Sequence, residues 1–179
     1  FLSARWEVKK GDWKGIPSEI YYDKKHTYNI DRMIESTKKS LDYFTANFTP
    51  YQHQQVRILE FPRYASFAQS FANTIPYSEA IGFIADLRDK DDIDYVFYVT
   101  AHEMAHQWWG HQVIGANMQG STVLMESLSQ YFALMVMEKE YGRDKMRRFL
   151  KYELDGYLRG RGGELIEELP LARVEGQQY

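Results

Sequence analysis

The sequence contains no cysteine among its 179 residues. This absence excludes disulfide bonds, thiolate metal ligands and a cysteine nucleophile, and it leaves histidine, aspartate and glutamate as candidate metal ligands. Basic and acidic residues are nearly balanced, with 22 Lys and Arg against 25 Asp and Glu. The strongly basic surface that binds nucleic acid is therefore not expected.

Long hydrophobic runs are also absent. No stretch approaches the roughly 20 apolar residues that a helix needs to cross a bilayer, so no transmembrane segment is expected. The first residues, FLSARW, lack the charged and then apolar segments that are typical of a signal peptide. The chain opens without methionine and stops at Tyr179 without a terminating signal. We therefore expect a segment of a longer protein, whose localisation and attachment to a membrane stay open.

The hydrophobic pattern changes along the chain, in which 44% of the residues are hydrophobic. Short β-prone runs dominate the first half, and helical periodicity dominates the second half. We expect a single α+β domain over residues 1–179, with a β-rich lobe over about 1–90 and a helical lobe over about 91–179. Asn29 and either Ser121 or Thr122 are predicted N-terminal caps. The predicted strands lie near residues 5–9, 19–22, 55–61 and 80–85, and the predicted helices near 30–48, 94–109, 121–141 and 143–158.

The strongest chemical signal is the stretch His102-Glu103-Met104-Ala105-His106, on the predicted helix over 94–109. Residues four apart on an α-helix differ by about 40° in rotation and ~6 Å in rise, so His102 and His106 can bind one ion. Glu103 is rotated away from that face but can reach a water molecule in an open coordination position. The pattern predicts two metal ligands and a general base.

Zinc suits imidazole and carboxylate ligands, and it lowers the pKa of a bound water to about 7. The predicted reaction is hydrolysis, in which Glu103 takes a proton from the zinc-bound water and returns it to the leaving amine. The alternative is that both histidines are ordinary core or surface residues. Burial of the motif beside apolar residues such as Val96 and Trp108 would be costly without a metal, which favours the catalytic interpretation.

A catalytic zinc ion usually takes three protein ligands, so one more is expected. His111 is a candidate, but it follows His106 one position earlier than the third histidine of the metzincin pattern does. Glu126, on the helix over 121–141, is the better candidate, because the apolar surroundings of that helix predict burial and a buried carboxylate needs a cation. An ordinary solvated glutamate stays open as the alternative.

Two stretches together resemble the gluzincin zinc metallopeptidases of the aminopeptidase N and leukotriene hydrolase family: TAHEMAHQWWG at 100–110 and LMESLSQY at 124–131. The resemblance implies a thermolysin-like catalytic domain, one Zn²⁺ ion held by His102, His106 and Glu126, and Glu103 as the base. The segment between His106 and Glu126 is one residue longer than is usual in the family. We expect the loop over 115–120 to absorb the extra residue.

Other elements of the family match less fully. A family glutamate that binds the free α-amine of the substrate corresponds to Glu79, although the glycine and asparagine of its motif are not matched. The alternative for Glu79 is a solvated glutamate at the edge of a strand. The resemblance also implies an oxyanion-stabilising tyrosine near or beyond the end of the chain, where Tyr179 is a candidate. Flanking domains of the parent protein are expected.

The function predicted from these residues is zinc-dependent peptide-bond hydrolysis, in particular aminopeptidase activity on peptide or protein N-termini. The alternative is an inactive or endopeptidase-type zincin module that serves as an interaction domain of a larger membrane-associated protein. The presence of Glu103 favours the enzyme, because a structural zinc site needs ligands but no base.

Overall fold

The structure of the protein is a computed structural model that describes residues 3–89, 93–163, 170 and 173. Its elements confirm the predicted α+β organisation, with the strands first and most of the helices after them. In the described residues none of the helices is long and apolar enough to cross a membrane. The elements are β1 (Glu7–Trp13), β2 (Ile16–Tyr22), α1 (Ile30–Asn47), β3 (Val56–Phe61), β4 (Thr74–Ser78), α2 (Tyr95–Ala105), α3 (Ser121–Tyr141) and α4 (Arg143–Gly162).

The four strands form one mixed sheet in the order β1-β2-β3-β4. β1 and β2 are an antiparallel hairpin whose two turn residues, Lys14 and Gly15, both have positive φ. Such a turn matches the right-handed twist of the paired strands. β2, β3 and β4 run parallel to one another, so their carboxyl ends lie at the same edge of the sheet.

The outer side of β4 is paired with the segment 68–71, which approaches it in the antiparallel direction. Ala68 pairs with Tyr77 and Phe71 pairs with Thr74. The strand predicted near 80–85 is therefore wrong, because the strand lies earlier and the chain turns after it. Gly82 N–H donates to the Ser78 carbonyl and Ile84 N–H to the Glu79 carbonyl. The apolar side chains near residues 80–85 belong to a turn, although their spacing resembles the alternation of a strand.

α1 connects β2 to β3 and packs between the sheet and α2. Its predicted apolar face is confirmed, since all five residues of that face are buried. Asn29 is the N-cap residue of α1, as predicted, but its side chain makes no capping hydrogen bond: the Asn29 amide donates to the carbonyls of Gly82 and Ala85 at 2.7 and 2.9 Å. Asn29 therefore ties the start of α1 to the turn after β4. The buried residues of the face are Ile30, Met33, Ile34, Leu41 and Phe44.

α2 is the central helix of the core, and α1 and α3 pack against it. Asp94 begins it, because the carboxylate accepts a hydrogen bond from Phe97 N–H at 2.9 Å. α3 begins after Gly120, which has a φ of +81° and no side-chain cap, so the predicted caps at Ser121 or Thr122 are wrong. The left-handed conformation of Gly120 sets the start of α3, and hydrophobic periodicity does not predict such a conformation.

Candidate active site

His102 and His106 lie near the end of α2, one helical turn apart. Their Nε2 atoms are 3.0 Å from each other. Both imidazoles therefore face the same point in space, as the spacing on a helix predicts. His106 is the C-cap residue of α2 and keeps helical φ and ψ angles of −61° and −21°, so helix geometry presets this pair.

Glu126 approaches the two histidines from the second turn of α3. Its Oε2 atom lies 3.3 Å from Nε2 of His102 and 3.4 Å from Nε2 of His106. Atoms bound at 2.0–2.1 Å to a tetrahedral zinc ion are about 3.3–3.4 Å apart. The three donor atoms therefore have the chemistry and the spacing that a zinc ion requires.

The loop between α2 and α3 brings Glu126 to this position in spite of its extra residue. A side chain at Gly115 would meet Met125 Sδ and Ser121 Cβ at 3.2 and 3.3 Å. Gly115 thus lets the loop pack closely against the residue that precedes Glu126. α3 itself packs against α2, and Gly115 allows the close contact between the loop and the first turns of α3.

The burial predicted for Glu126 is wrong. Its side chain is 56% exposed, because the first turns of α3 extend beyond the body of the domain. The helix becomes buried only later, at residues such as Ala133 and Met137. Hydrogen bonds with His102 and then His106 hold the pKa of the Glu126 carboxyl well below its usual range. Glu126 is a candidate ligand because its carboxylate lies beside both histidines, and not because it is buried.

The backbone and α3 orient the ring of His106. Its Nδ1 lies 3.0 Å from the Trp109 carbonyl oxygen and 3.0 Å from Oγ of the buried Ser129. When Nδ1–H donates to the carbonyl, Nε2 keeps a free lone pair on the side of the cluster. Burial lowers the pKa of His106, but hydrogen bonding to Glu126 and the charge of Glu126 outweigh it and raise the pKa.

Glu103 opens onto the same cavity as the three clustered side chains. It is only 5% exposed, and burial raises the pKa of its carboxyl, against the opposing effect of His102 and His106. A carboxylate with a raised pKa is a stronger base near neutral pH. The cavity has a volume of about 300 Å³ and is lined by Ala68, Gln69, Ser70, His102, Glu103, His106, Gly110, His111 and Glu126.

Comparison with known proteins agrees with this geometry. The sequence model described as the Peptidase family M1 domain matches residues 32–159, which include His102, Glu103, His106 and Glu126. The chain belongs to peptidase family M1. It is also 32% identical over 81 residues to a protein named "Probable aminopeptidase 1" from Sulfurisphaera tokodaii. That match covers 45% of the chain and 10% of the length of the relative. The predicted resemblance to this group of gluzincins is confirmed.

One wall of the cavity in this M1 domain is formed by a segment at the edge of the sheet that the sequence patterns did not predict. Ala68, Gln69 and Ser70 form one wall of the cavity. Gln107, which is fully buried directly after His106, donates to the carbonyl of Phe71 at 2.8 Å and accepts from Asn73 N–H at 2.9 Å. Gln107, next to the motif, is a sign in the sequence of this wall, but its hydrogen-bond partners lie more than thirty residues earlier in the chain.

The structure does not bring His111 together with His102, His106 and Glu126. Its ring lines the cavity, but Nε2 is 3.2 Å from the Ser70 carbonyl oxygen, to which it can donate. In the described residues the donor atoms that converge at this site are those of His102, His106 and Glu126. His111 therefore lines the cavity of this M1 domain but does not join His102, His106 and Glu126.

Glu79 also lies apart from the cavity of the M1 domain. Its Oε2 is 4.0 Å from Nδ1 of His26, and its Oε1 is 3.6 Å from Nε of Arg63. It lines a separate cavity together with Glu60. The structure therefore does not bring Glu79 together with Glu103, and Tyr179 lies outside the described residues.

Proposed function

We propose that this M1 domain is a zinc-dependent peptidase that hydrolyses peptide bonds, with aminopeptidase activity on peptide or protein N-termini. One observation carries the proposal: two imidazole nitrogens and a carboxylate oxygen converge within 3.0–3.4 Å of one another, beside the buried carboxylate of Glu103. A structural metal site needs ligands but does not need an additional carboxylate that can act as a base.

His102, His106 and Glu126 are the side chains that would hold the metal. A zinc ion bound by them supplies a Lewis acid to the cavity. The donation from His106 Nδ1 to the Trp109 carbonyl fixes the tautomer that binds a metal through Nε2. A thermolysin-like arrangement of the domain, with these ligands on two successive helices, is part of the proposal.

Glu103 acts as the proton carrier of the reaction. Its carboxylate takes a proton from the attacking water, holds it while the tetrahedral carbon forms, and donates it to the nitrogen of the leaving amine. Burial of Glu103 favours this role, because the neutral acid that exists midway through the reaction is stable in a desolvated position. No covalent bond between enzyme and substrate is required.

The aminopeptidase specificity rests on the name of the similar protein from Sulfurisphaera tokodaii. Binding of a free α-ammonium group calls for a carboxylate, and within the described residues the carboxylates that line the cavity are Glu103 and Glu126. The role predicted for Glu79 stays a prediction. This lining favours an endopeptidase as the second candidate function.

Two versions of one peptide separate these candidates. The full chain, loaded with zinc, is incubated with a peptide that has a free N-terminus and with its N-acetylated counterpart, and mass spectrometry identifies the products. An aminopeptidase releases single residues from the free peptide only, whereas an endopeptidase cleaves both at internal bonds. A zinc-loaded, folded chain that cleaves neither peptide contradicts the proposed function. Chelation of the zinc should abolish any cleavage.

A further inference from the structure

A second group of potential metal ligands lies at the carboxyl edge of the sheet. His26 follows β2, Glu60 is near the end of β3, and Glu79 directly follows β4. These three strands are parallel, so the segments that leave their carboxyl ends come together. The edge beyond the carboxyl ends of parallel strands is a common position for ligand binding.

The donor atoms of this group converge closely. One nitrogen of His26 and one oxygen of each carboxylate all lie within 4.8 Å of one another. His26 Nδ1 is in direct contact with Oε1 of Glu60 and is 4.0 Å from Oε2 of Glu79. The other oxygen of Glu60 accepts a hydrogen bond from the backbone N–H of Asp23 at 2.5 Å. Glu60 is therefore held in place, with one oxygen directed at the group.

The charges of the group call for a cation. Glu60 is only 4% exposed and the side chain of Glu79 only 18%, so two carboxylates lie close together and largely out of water. Arg63 approaches the far oxygen of Glu79, but its own side chain is 72% exposed. A divalent ion between the two carboxylates would compensate their charges more completely than one imidazole can.

We propose that His26, Glu60 and Glu79 form a second zinc site, which joins the carboxyl ends of β2, β3 and β4. One imidazole nitrogen and two carboxylate oxygens are the ligand types that zinc accepts in proteins, and water completes a set of four. A cavity of about 320 Å³, which both carboxylates line, gives the ion access to the site. This site uses none of the ligands of the candidate active site.

Zinc content of the full chain tests the proposal. After dialysis against a weak chelator, the wild-type chain should retain about two equivalents of zinc, and the Glu79→Gln chain about one. Glu19→Gln is the matched control, because Glu19 lies on β2 with a side chain 20% exposed, against 18% for Glu79. The control should retain the wild-type amount. Equal zinc in the wild-type and Glu79→Gln chains would overturn the proposal.

A second measurement does not depend on the folding of the Glu79 variant. In a chain that carries His102→Asn and His106→Asn, the first cluster cannot bind zinc, so added zinc reports the second site alone. The melting temperature of this chain should rise with zinc, since a ligand that binds only the folded state stabilises it. His26→Gln in the same background should remove the rise. No rise in the parent variant would show that this group does not bind zinc, which contradicts the proposal.

Discussion

The side-chain amide of Gln107 donates a hydrogen bond to the carbonyl of Phe71 at 2.8 Å. Gln107 directly follows His106, and Phe71 ends the segment that forms one wall of the cavity. The same side chain accepts from Asn73 N–H at 2.9 Å. One buried glutamine therefore ties the end of α2 to the segment that forms one wall of the cavity.

Replacement of Gln107 should loosen that wall. In Gln107→Met the half-buried Asn73 N–H loses its partner, at a cost of about 1–3 kcal/mol, and the Phe71 carbonyl keeps only its hydrogen bond from Thr74 N–H. We expect a lower free energy of unfolding in a denaturant titration, and a KM for peptide that increases more than kcat falls. Gln112→Met is the control, because its hydrogen bonds to Thr49 and Pro50 are exposed. Equal stability of the two variants would count against this role of Gln107.

Ser129 should matter for metal affinity although it is not a ligand. Its Oγ lies 3.0 Å from Nδ1 of His106, and outer-shell partners of this kind typically change metal affinity by about 10–100-fold. We expect weaker zinc binding in Ser129→Ala, measured by competition with a chromogenic chelator. Ser127→Ala, an exposed serine on the same helix, should bind zinc as the wild type does. Unchanged affinity in both variants would remove Ser129 from the metal site.

Glu126 should be the third ligand of the active-site metal. Glu126→Ala removes the oxygen that lies 3.3 and 3.4 Å from the two imidazoles, and zinc affinity at this site should fall by more than about a hundredfold. Glu138→Gln, on the same helix and paired with Arg143, is the matched control. If Glu126→Ala retains wild-type affinity, then His111 or water completes the site.

Asp42 should make stability depend on pH far from the active site. Hydrogen bonds from Lys14 and Trp13 hold the pKa of its carboxyl below the ordinary value. A lowered pKa in the folded state adds stability above the unfolded value of about 3.9, and this stability is lost as the pH falls through the folded pKa.

Melting curves of Asp42→Asn test this linkage. The variant should melt lower than the wild type at pH 7, by no more than about 4 °C because the ion pair is half exposed to solvent. The difference should shrink as the pH falls below 4. A difference that is the same at pH 7 and at pH 2.5 would show that charge on Asp42 is not its cause.

The features that the sequence predicted well are those that depend on local periodicity. The buried face of α1 and the joint position of His102 and His106 follow from helix geometry alone. Glu126 was chosen by the resemblance and by an expected burial that the structure does not have. It nevertheless lies beside both histidines, because α3 packs directly against α2.

The features that sequence could not predict depend on pairing between distant segments. The wall formed by residues 68–70 exists only because that segment turns back along β4 and accepts hydrogen bonds from Gln107. Glu79 was matched to a family motif by letter and distance, but the register of β4 places it beside His26 at the end of the sheet. Neither the wall formed by residues 68–70 nor the position of Glu79 beside His26 produces a periodic pattern in the sequence.

In the proposed mechanism Glu103 carries protons for a reaction at a metal that other residues hold. Glu103→Gln keeps the size of the side chain and removes the base, so zinc content and peptide hydrolysis should separate in this variant. We predict wild-type zinc content by mass spectrometry, together with a loss of kcat of at least about a hundredfold in the same preparation. Retained hydrolysis at wild-type zinc content would contradict the account.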